Sequence, residues 1–212
     1  MSVDVKICGL HDAAGVETAV EAGAHYIGFV FHALSKRLIS PYEAGELAIL
    51  VPSSVKRVGL FVDASDNEIR EVLNAVPLNI LQLHGNETPG RVEAVRRLAN
   101  LPVMKALRIA TADDLKPVAD FEAVADRLLF DTRIGEEPTG GTGQSFDWNL
   151  LRGRVFKKPW MLAGGLNSSN IAEAVQVTGA RTLDVSSGVE DETGRKDPTK
   201  IREFISLAAQ LD

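Results

Sequence analysis

Cys8 is the only cysteine of the 212-residue chain, and it lies where a reactive thiol would be placed. It follows an apolar run over residues 3–7 and precedes Gly9 and the polar start of a predicted helix. A thiol acts as a base or nucleophile when its surroundings favour ionisation, and a helix N-terminus supplies partial positive charge from unpaired N–H groups. On position alone, a buried cysteine packed as a small hydrophobe is the commoner case. The other polar residues must decide between these interpretations.

Nucleic acid and a membrane are both disfavoured as partners by the composition. The formal net charge is -6, and the lysines and arginines are scattered, which argues against nucleic-acid binding. No apolar run approaches the ~20 residues needed to cross a bilayer, and the N-terminus lacks the basic and apolar regions of a signal peptide. A single cysteine excludes an internal disulfide. The chain contains 45% hydrophobic residues, an ordinary globular composition. We therefore expect a cytoplasmic protein with one hydrophobic core.

Eight short apolar runs alternate with stretches whose apolar residues recur three or four positions apart, which indicates alternating strands and helices. The predicted strands cover residues 3–7, 26–31, 57–61, 80–83, 103–106, 127–130, 160–162 and 182–185. The predicted helices cover residues 12–22, 41–50, 66–76, 89–100, 111–120, 148–152, 168–178 and 197–210. Ser168 is one of several residues suited to a helix start.

Strands that are apolar on both faces and separated by helices predict a parallel sheet. Eight units in this length leave about 26 residues each, which favours a single (βα)8 barrel domain over residues 1–212. An open doubly wound sheet is the alternative. No Gly-x-Gly-x-x-Gly turn follows the first strand, which weakens the dinucleotide-binding form of that alternative.

The polar residues follow the predicted strands at their carboxyl ends, where barrels of this kind build their active sites. Cys8 follows the first strand, His84 the fourth and Asp131 the sixth. Strands one and six lie on separate sides of the barrel mouth, so Cys8 and Asp131 would face each other across a ligand. Such a base and acid can move protons at two substrate atoms. His84 either lines the site or is a hydrogen-bonded structural residue.

Small residues follow the last two strands, and loops at these positions of (βα)8 barrels often bind phosphate through backbone N–H groups. The candidates are Gly164 and Gly165 after strand seven, and Ser186, Ser187 and Gly188 after strand eight. Tight turns without a ligand would also select such residues.

Arg37 follows the second strand, where its guanidinium could hold a carboxylate through paired hydrogen bonds. A solvated surface arginine is the alternative. The four histidines are scattered and show no metal-site spacing with the single cysteine.

Taken in order, several motifs along the chain resemble those of the phosphoribosylanthranilate isomerase family. The motifs are KICGL at 6–10, GFVF at 28–31, SKR at 35–37, RVGLFV at 57–62, LQLHG at 81–85, FD at 130–131, GGTG at 140–143, FDW at 146–148, LAGGLN at 162–167 and DVSSGVE at 184–190. Several are weak singly, but in this order and at these spacings they are highly specific.

The resemblance implies a (βα)8 isomerase of tryptophan biosynthesis, acting third after chorismate, that uses no metal or organic cofactor. Its reaction is the Amadori rearrangement of N-(5-phosphoribosyl)anthranilate to 1-(2-carboxyphenylamino)-1-deoxyribulose 5-phosphate. By resemblance Cys8 is the general base, favoured toward ionisation, and Asp131 is the general acid. Arg37 faces the anthranilate carboxylate, Asp184 touches the anthranilate part, and the last two loops hold the phosphate. The segment 140–143 would cover the site, and the protein would be a monomer or homodimer.

Two other functions are open to a barrel of this kind. The sugar-phosphate isomerase of the histidine pathway predicts an aspartate at the end of the first strand, where this chain has Cys8. A non-catalytic phosphate-binding barrel predicts loss of Cys8 or Asp131, and both are present. The sequence therefore favours the phosphoribosylanthranilate isomerase reaction.

Overall fold

The protein folds into a closed barrel of eight parallel strands in a computed structural model that describes residues 3–132 and 145–211. The strands, numbered in chain order, are β1 (Asp4–Cys8), β2 (Tyr26–Val30), β3 (Lys56–Phe61), β4 (Ile80–Leu83), β5 (Val103–Ile109), β6 (Arg127–Thr132), β7 (Trp160–Leu162) and β8 (Thr182–Val185). Each strand pairs with the next in the sequence, and β1 pairs with β8 from Asp4↔Thr182 to Ile7↔Val185. The predicted (βα)8 barrel is confirmed, and the open-sheet alternative is wrong.

Seven α-helices occur among the described residues and cover the outside of the barrel. They are α1 (Ala13–Glu21), α2 (Pro41–Ala48), α3 (Asp66–Ala75), α4 (Pro89–Ala99), α5 (Val118–Val124), α6 (Ile171–Thr178) and α7 (Pro198–Ala208). Local sequence starts several of them, because Ser40 and Ser65 each form a capping box with a glutamate three residues later. None of the helices among the described residues has the length and apolar character needed to span a bilayer.

Three of the predicted helices differ from the structure. The segment predicted over 111–120 divides into a 3₁₀ turn at Ala112–Leu115 and helix α5, with Pro117 at the junction. The segment over 148–152 is only a 3₁₀ turn at Trp148–Leu151. Ser168 does not start α6, which begins at Ile171. Asn167 and Asn170 accept hydrogen bonds from nearby backbone N–H groups, and these turns keep the segment outside the helix.

Two apolar clusters fill the molecule, one between barrel and helices and one inside the barrel. Leu128 and Phe130 belong to the outer cluster, whereas Leu129 between them belongs to the inner one. This alternation is the two-residue period of a strand. The inner cluster consists of Tyr26, Val58, Ile80, Met104, Ala106, Leu129, Met161 and Ala163. Side chains in register with its members therefore also point into the barrel.

Candidate active site

A cavity of about 560 Å³ opens at the carboxyl ends of the strands. The predicted site residues that line it are Cys8, Arg37, His84, Asp131, Gly164, Gly165, Asp184, Ser186 and Ser187. Gly188 does not line the cavity but packs beneath its rim, since a Cβ at Gly188 would lie 2.9 Å from the carbonyl carbon of Leu166. Folding has therefore brought together residues that are far apart in the sequence.

Cys8 shares the inner face of β1 with a buried lysine. Lys6 is 0% exposed, and it is in register with Tyr26 of the inner cluster. A Cβ added at Gly28 would lie 3.0 Å from the sulfur of Cys8 and 3.2 Å from Cε of Lys6. Both side chains thus pack over the same glycine. Lys6 Nζ donates a 2.8 Å hydrogen bond to Oδ1 of Asp184, which lies opposite it on β8.

Burial raises the pKa of the Cys8 thiol, against the expectation of a cysteine favoured toward ionisation. The Lys6 ammonium opposes this effect and lowers the pKa, whereas the Asp184 carboxylate adds to it. Burial alone would lower the pKa of Lys6, but the adjacent Asp184 and Cys8 outweigh it and raise that pKa. The cation that most favours the thiolate is therefore Lys6, which Asp184 holds, and Lys196 adds to its effect.

Asp131 is the end of a three-residue hydrogen-bonded chain. Its Oδ2 lies 3.0 Å from Nε2 of His84, whose Nδ1 lies 2.9 Å from the amide nitrogen of Gln82. Because an amide nitrogen can only donate a hydrogen bond, Nδ1 of His84 is the acceptor, and Nε2 carries the ring proton and donates a hydrogen bond to Asp131. The other oxygen of Asp131 accepts from the backbone N–H of Thr132 at 2.8 Å. His84 thus both lines the cavity and orients Asp131.

Arg37 reaches the cavity over a glycine and is already paired with a carboxylate. Gly9 has φ +76, and a Cβ there would lie 3.2 Å from Cβ and Cγ of Arg37, so the arginine stem requires glycine at this position. Arg37 Nε donates to Oε1 of Glu190 at 2.6 Å, and Nη2 donates to Oε2 at 2.8 Å. The arginine is therefore an oriented group, and the solvated-surface alternative is wrong.

Glu190 is also bound by Lys196. Lys196 Nζ donates to Oε1 of Glu190 at 2.6 Å, and to the carbonyl and hydroxyl oxygens of Ser186 at 3.0 and 3.2 Å. Burial would raise the pKa of Glu190, but Arg37 and Lys196 outweigh it and hold that pKa below its ordinary value. The Ser186 hydroxyl donates to the carbonyl of Cys8 at 3.0 Å. This network connects the ends of β1 and β8.

The loops after β7 and β8 are in direct contact at one side of the mouth. Gly164 and Gly165 have φ of +88 and +67, which favour glycine. A Cβ at Gly164 would lie 2.6 Å from the backbone nitrogen of Thr132 and 3.0 Å from Oδ1 of Asp131. Within the described residues, the N–H groups of Gly164 and Gly165 have no hydrogen-bond acceptor. These two donors are free to bind an anion in the cavity.

Four residues at the site were assigned no role from the sequence, namely Lys6, Gln82, Glu190 and Lys196. A two-residue period could have indicated two of them, because Lys6 precedes Cys8 by two positions and Gln82 precedes His84 by two. Nothing local marks Glu190 or Lys196, whose importance comes from contacts across the barrel mouth. The segment 140–143, expected to cover the site, lies outside the described residues.

The fold and the site are those of a (βα)8-barrel enzyme, with a thiol and a carboxyl lining one cavity at the carboxyl ends of the strands. The family model described as N-(5'phosphoribosyl)anthranilate (PRA) isomerase matches residues 5–207. The chain belongs to this family. It is 50% identical to the N-(5'-phosphoribosyl)anthranilate isomerase of Rhodospirillum centenum, with 100% of each chain covered, and 51% identical to that of Paracoccus denitrificans, with 98% of each covered.

Solved structures agree with this assignment. The phosphoribosyl anthranilate isomerase from Thermotoga maritima is 37% identical, with a TM-score of 0.86, over 99% of this chain and 100% of that one. A second structure shows a phosphoribosyl anthranilate isomerase in complex with reduced 1-(o-carboxyphenylamino)-1-deoxyribulose 5-phosphate. It is 36% identical, with a TM-score of 0.83, over 99% of this chain and 100% of that one.

Proposed function

We propose that this chain converts N-(5-phosphoribosyl)anthranilate to 1-(2-carboxyphenylamino)-1-deoxyribulose 5-phosphate by general acid and base catalysis. The single observation that carries the proposal is that Cys8 and Asp131, on β1 and β6, line one cavity together with anion-binding groups. The family and the relative solved with a reduced product-like ligand support the choice of substrate.

Asp131 is the general acid that opens the ribose ring. As the C1'–O bond breaks, the ring oxygen gains negative charge and takes the carboxyl proton, while the anthranilate nitrogen lone pair forms a Schiff base. His84 Nε2, 3.0 Å from Oδ2, then donates to the carboxylate that remains. Stabilising the conjugate base lowers the barrier to proton donation.

Cys8 is the general base that removes the C2' proton. The Schiff base makes this proton acidic, and the electron pair it leaves moves to form an enolamine, which tautomerises to the ketone. Burial raises the pKa of the thiol, so Lys6 is needed to stabilise the thiolate. The buried Lys6–Asp184 pair fixes that cation on the same face of β1 as the sulfur.

The two ends of the substrate are held by different groups. Gly164, Gly165, Ser186 and Ser187, with Gly188 next to them in the chain, form the phosphate site, since the two glycines after β7 line the cavity and their N–H groups have no acceptor among the described residues. At the other end of the substrate, Arg37 binds the anthranilate carboxylate and Asp184 contacts the anthranilate part.

The wider assignment follows from the reaction. We place the enzyme in tryptophan biosynthesis, third after chorismate and in the cytoplasm, with one domain over residues 1–212. The Thermotoga maritima relative is a dimeric enzyme that has also been obtained as monomers. We propose that this chain is likewise a monomer or homodimer.

Loss of anthranilate fluorescence as substrate is consumed tests the function directly. Cys8→Ala and Asp131→Asn should each lower kcat by several decades with less change in KM, because each removes a proton transfer. Arg37→Ala should chiefly raise KM. Near-normal turnover in either of the first two variants would contradict its role. Turnover of only the histidine-pathway aminoaldose would instead favour the alternative isomerase.

A further inference from the structure

The Arg37 guanidinium is bound to Glu190 along one of its two bidentate edges. Nε and Nη2 donate to the two carboxylate oxygens of Glu190, which uses two of the five guanidinium N–H groups. Two of the other three, one on Nη1 and one on Nη2, form the second edge, and Nη1 has no hydrogen-bond partner among the described residues. One complete bidentate edge therefore remains for a ligand carboxylate.

Glu190 cannot turn away from Arg37 without breaking several other contacts. Its Oε1 also accepts from Lys196 Nζ, and both side chains are buried, with 8% and 1% of their area exposed. Its backbone forms an antiparallel bridge with Lys196, and its carbonyl accepts from Lys200 Nζ at 2.7 Å. Glu190 is thus a rigid support for a long, flexible side chain whose loss of rotamer freedom would otherwise oppose binding.

The charges of the cluster also suit a single carboxylate. Arg37 and Lys196 are cations and Glu190 is an anion, so the three groups carry one net positive charge. Burial lowers the pKa of Lys196 and repulsion by Arg37 lowers it further, whereas attraction to the Glu190 carboxylate opposes both effects. Without Glu190 the two cations would repel each other, and Arg37 would move away from its present position.

We propose that Glu190 is a positioning residue that aims the free edge of Arg37 at the ring carboxylate of the substrate, and so determines selectivity for carboxylated arylamine ribosides. The inference rests on the proposed function. Glu190 contacts Arg37 and does not itself contact the substrate. Its removal should therefore weaken recognition of the carboxylate and leave the proton transfers intact.

Glu190→Gln tests the proposal with two substrates, N-(5-phosphoribosyl)anthranilate and its analogue without the ring carboxylate, N-(5-phosphoribosyl)aniline. In this variant an NH₂ group replaces one carboxylate oxygen, so a hydrogen-bond donor faces an N–H of Arg37 where an acceptor stood before. We expect KM for the anthranilate substrate to rise on the order of 10-fold with kcat nearly unchanged. The kcat/KM for the aniline analogue should stay within about twofold of wild type, since that compound makes no carboxylate contact.

Glu192→Gln is the matched control, because Glu192 lines the same rim and is exposed. It removes an equal charge and should change neither substrate. Glu190→Asp, which withdraws the carboxylate by one methylene, should act like Glu190→Gln and serves if the amide variant does not fold. Equal losses on both substrates, or no loss on either, would overturn the inference. A wild-type enzyme that converts neither compound would refute the proposed function itself.

Discussion

Replacing Lys6 by methionine should suppress ionisation of Cys8. The Cys8 sulfur and Cε of Lys6 are neighbours, because a Cβ added at Gly28 would lie 3.0 Å from the first and 3.2 Å from the second. At a separation of about 5 Å and an effective dielectric constant of about 20, a unit charge changes the energy of another by about 3 kcal/mol. This energy corresponds to roughly a hundredfold less thiolate at a fixed pH below the pKa of the thiol. The Asp184 carboxylate, which also raises the pKa of Cys8, remains in the variant without its cationic partner.

The chain contains one cysteine, so alkylation by iodoacetamide, followed by mass spectrometry near neutral pH, reports Cys8 alone. Lys6→Met should slow alkylation roughly a hundredfold, because the thiolate is the reacting form. Asp184→Asn should do the opposite and accelerate it, since the carboxylate raises the pKa of the thiol. The two variants remove opposite charges from the same buried pair, so a general loosening of the site cannot produce both results.

Thermal unfolding of each variant provides the necessary control, because breaking a buried ion pair costs about 3 to 5 kcal/mol. A folded Lys6→Met protein that alkylates at the wild-type rate would refute the reasoning that Lys6 favours the thiolate. Slower alkylation of Asp184→Asn would refute the assigned sign of its charge.

Two further predictions concern stability. Gly164→Ala should unfold at a lower denaturant concentration and lose activity, because the added Cβ would lie 2.6 Å from the backbone nitrogen of Thr132. Gly153→Ala is the control: Gly153 has φ +67 but open space around it, so this variant should lose only about 1 to 2 kcal/mol of stability. The second prediction concerns the buried pair of Glu87 and Lys105, whose charged atoms lie 2.6 Å apart. Burial would raise the pKa of Glu87, but Lys105 outweighs it and lowers that pKa below the ordinary 4.5. The pair therefore stabilises the protein above pH 4.5 and loses its effect as the pH falls through the folded-state pKa. Urea unfolding should show Glu87→Gln less stable by about 3 kcal/mol near neutral pH, with the difference shrinking in acid; a constant difference would contradict this linkage.

The sequence predicted the barrel because its signals are local. An apolar run indicates each strand, and apolar residues three or four positions apart indicate each helix. A capping pair such as Ser40 with Glu43 often marks where the helix starts. Where local signals conflicted, the prediction failed. The helix expected from Ser168 begins three residues later, since Asn167 and Asn170 bind the intervening backbone.

The candidate site was predicted in part of its membership but not in its electrostatics. Position after a strand placed Cys8 and Asp131 at the mouth, which the structure confirms. The same reasoning gave no role to Lys6, although its ammonium is the main cation that lowers the pKa of Cys8. Burial of the thiol, which raises its pKa, depends on how the whole barrel closes and has no local signature.

The amino-acid sequence by itself determined the family, the barrel and several of the residues at its mouth, because these follow from short-range periodicity and ordered motifs. Only the tertiary structure decided which charges neutralise each other. Lys6 and Asp184 are 178 residues apart, and Arg37 and Glu190 are 153 apart, yet each pair is in hydrogen-bond contact. Such contacts require the closure of β8 onto β1, and the energy of a charge depends on its distance from other charges and from water.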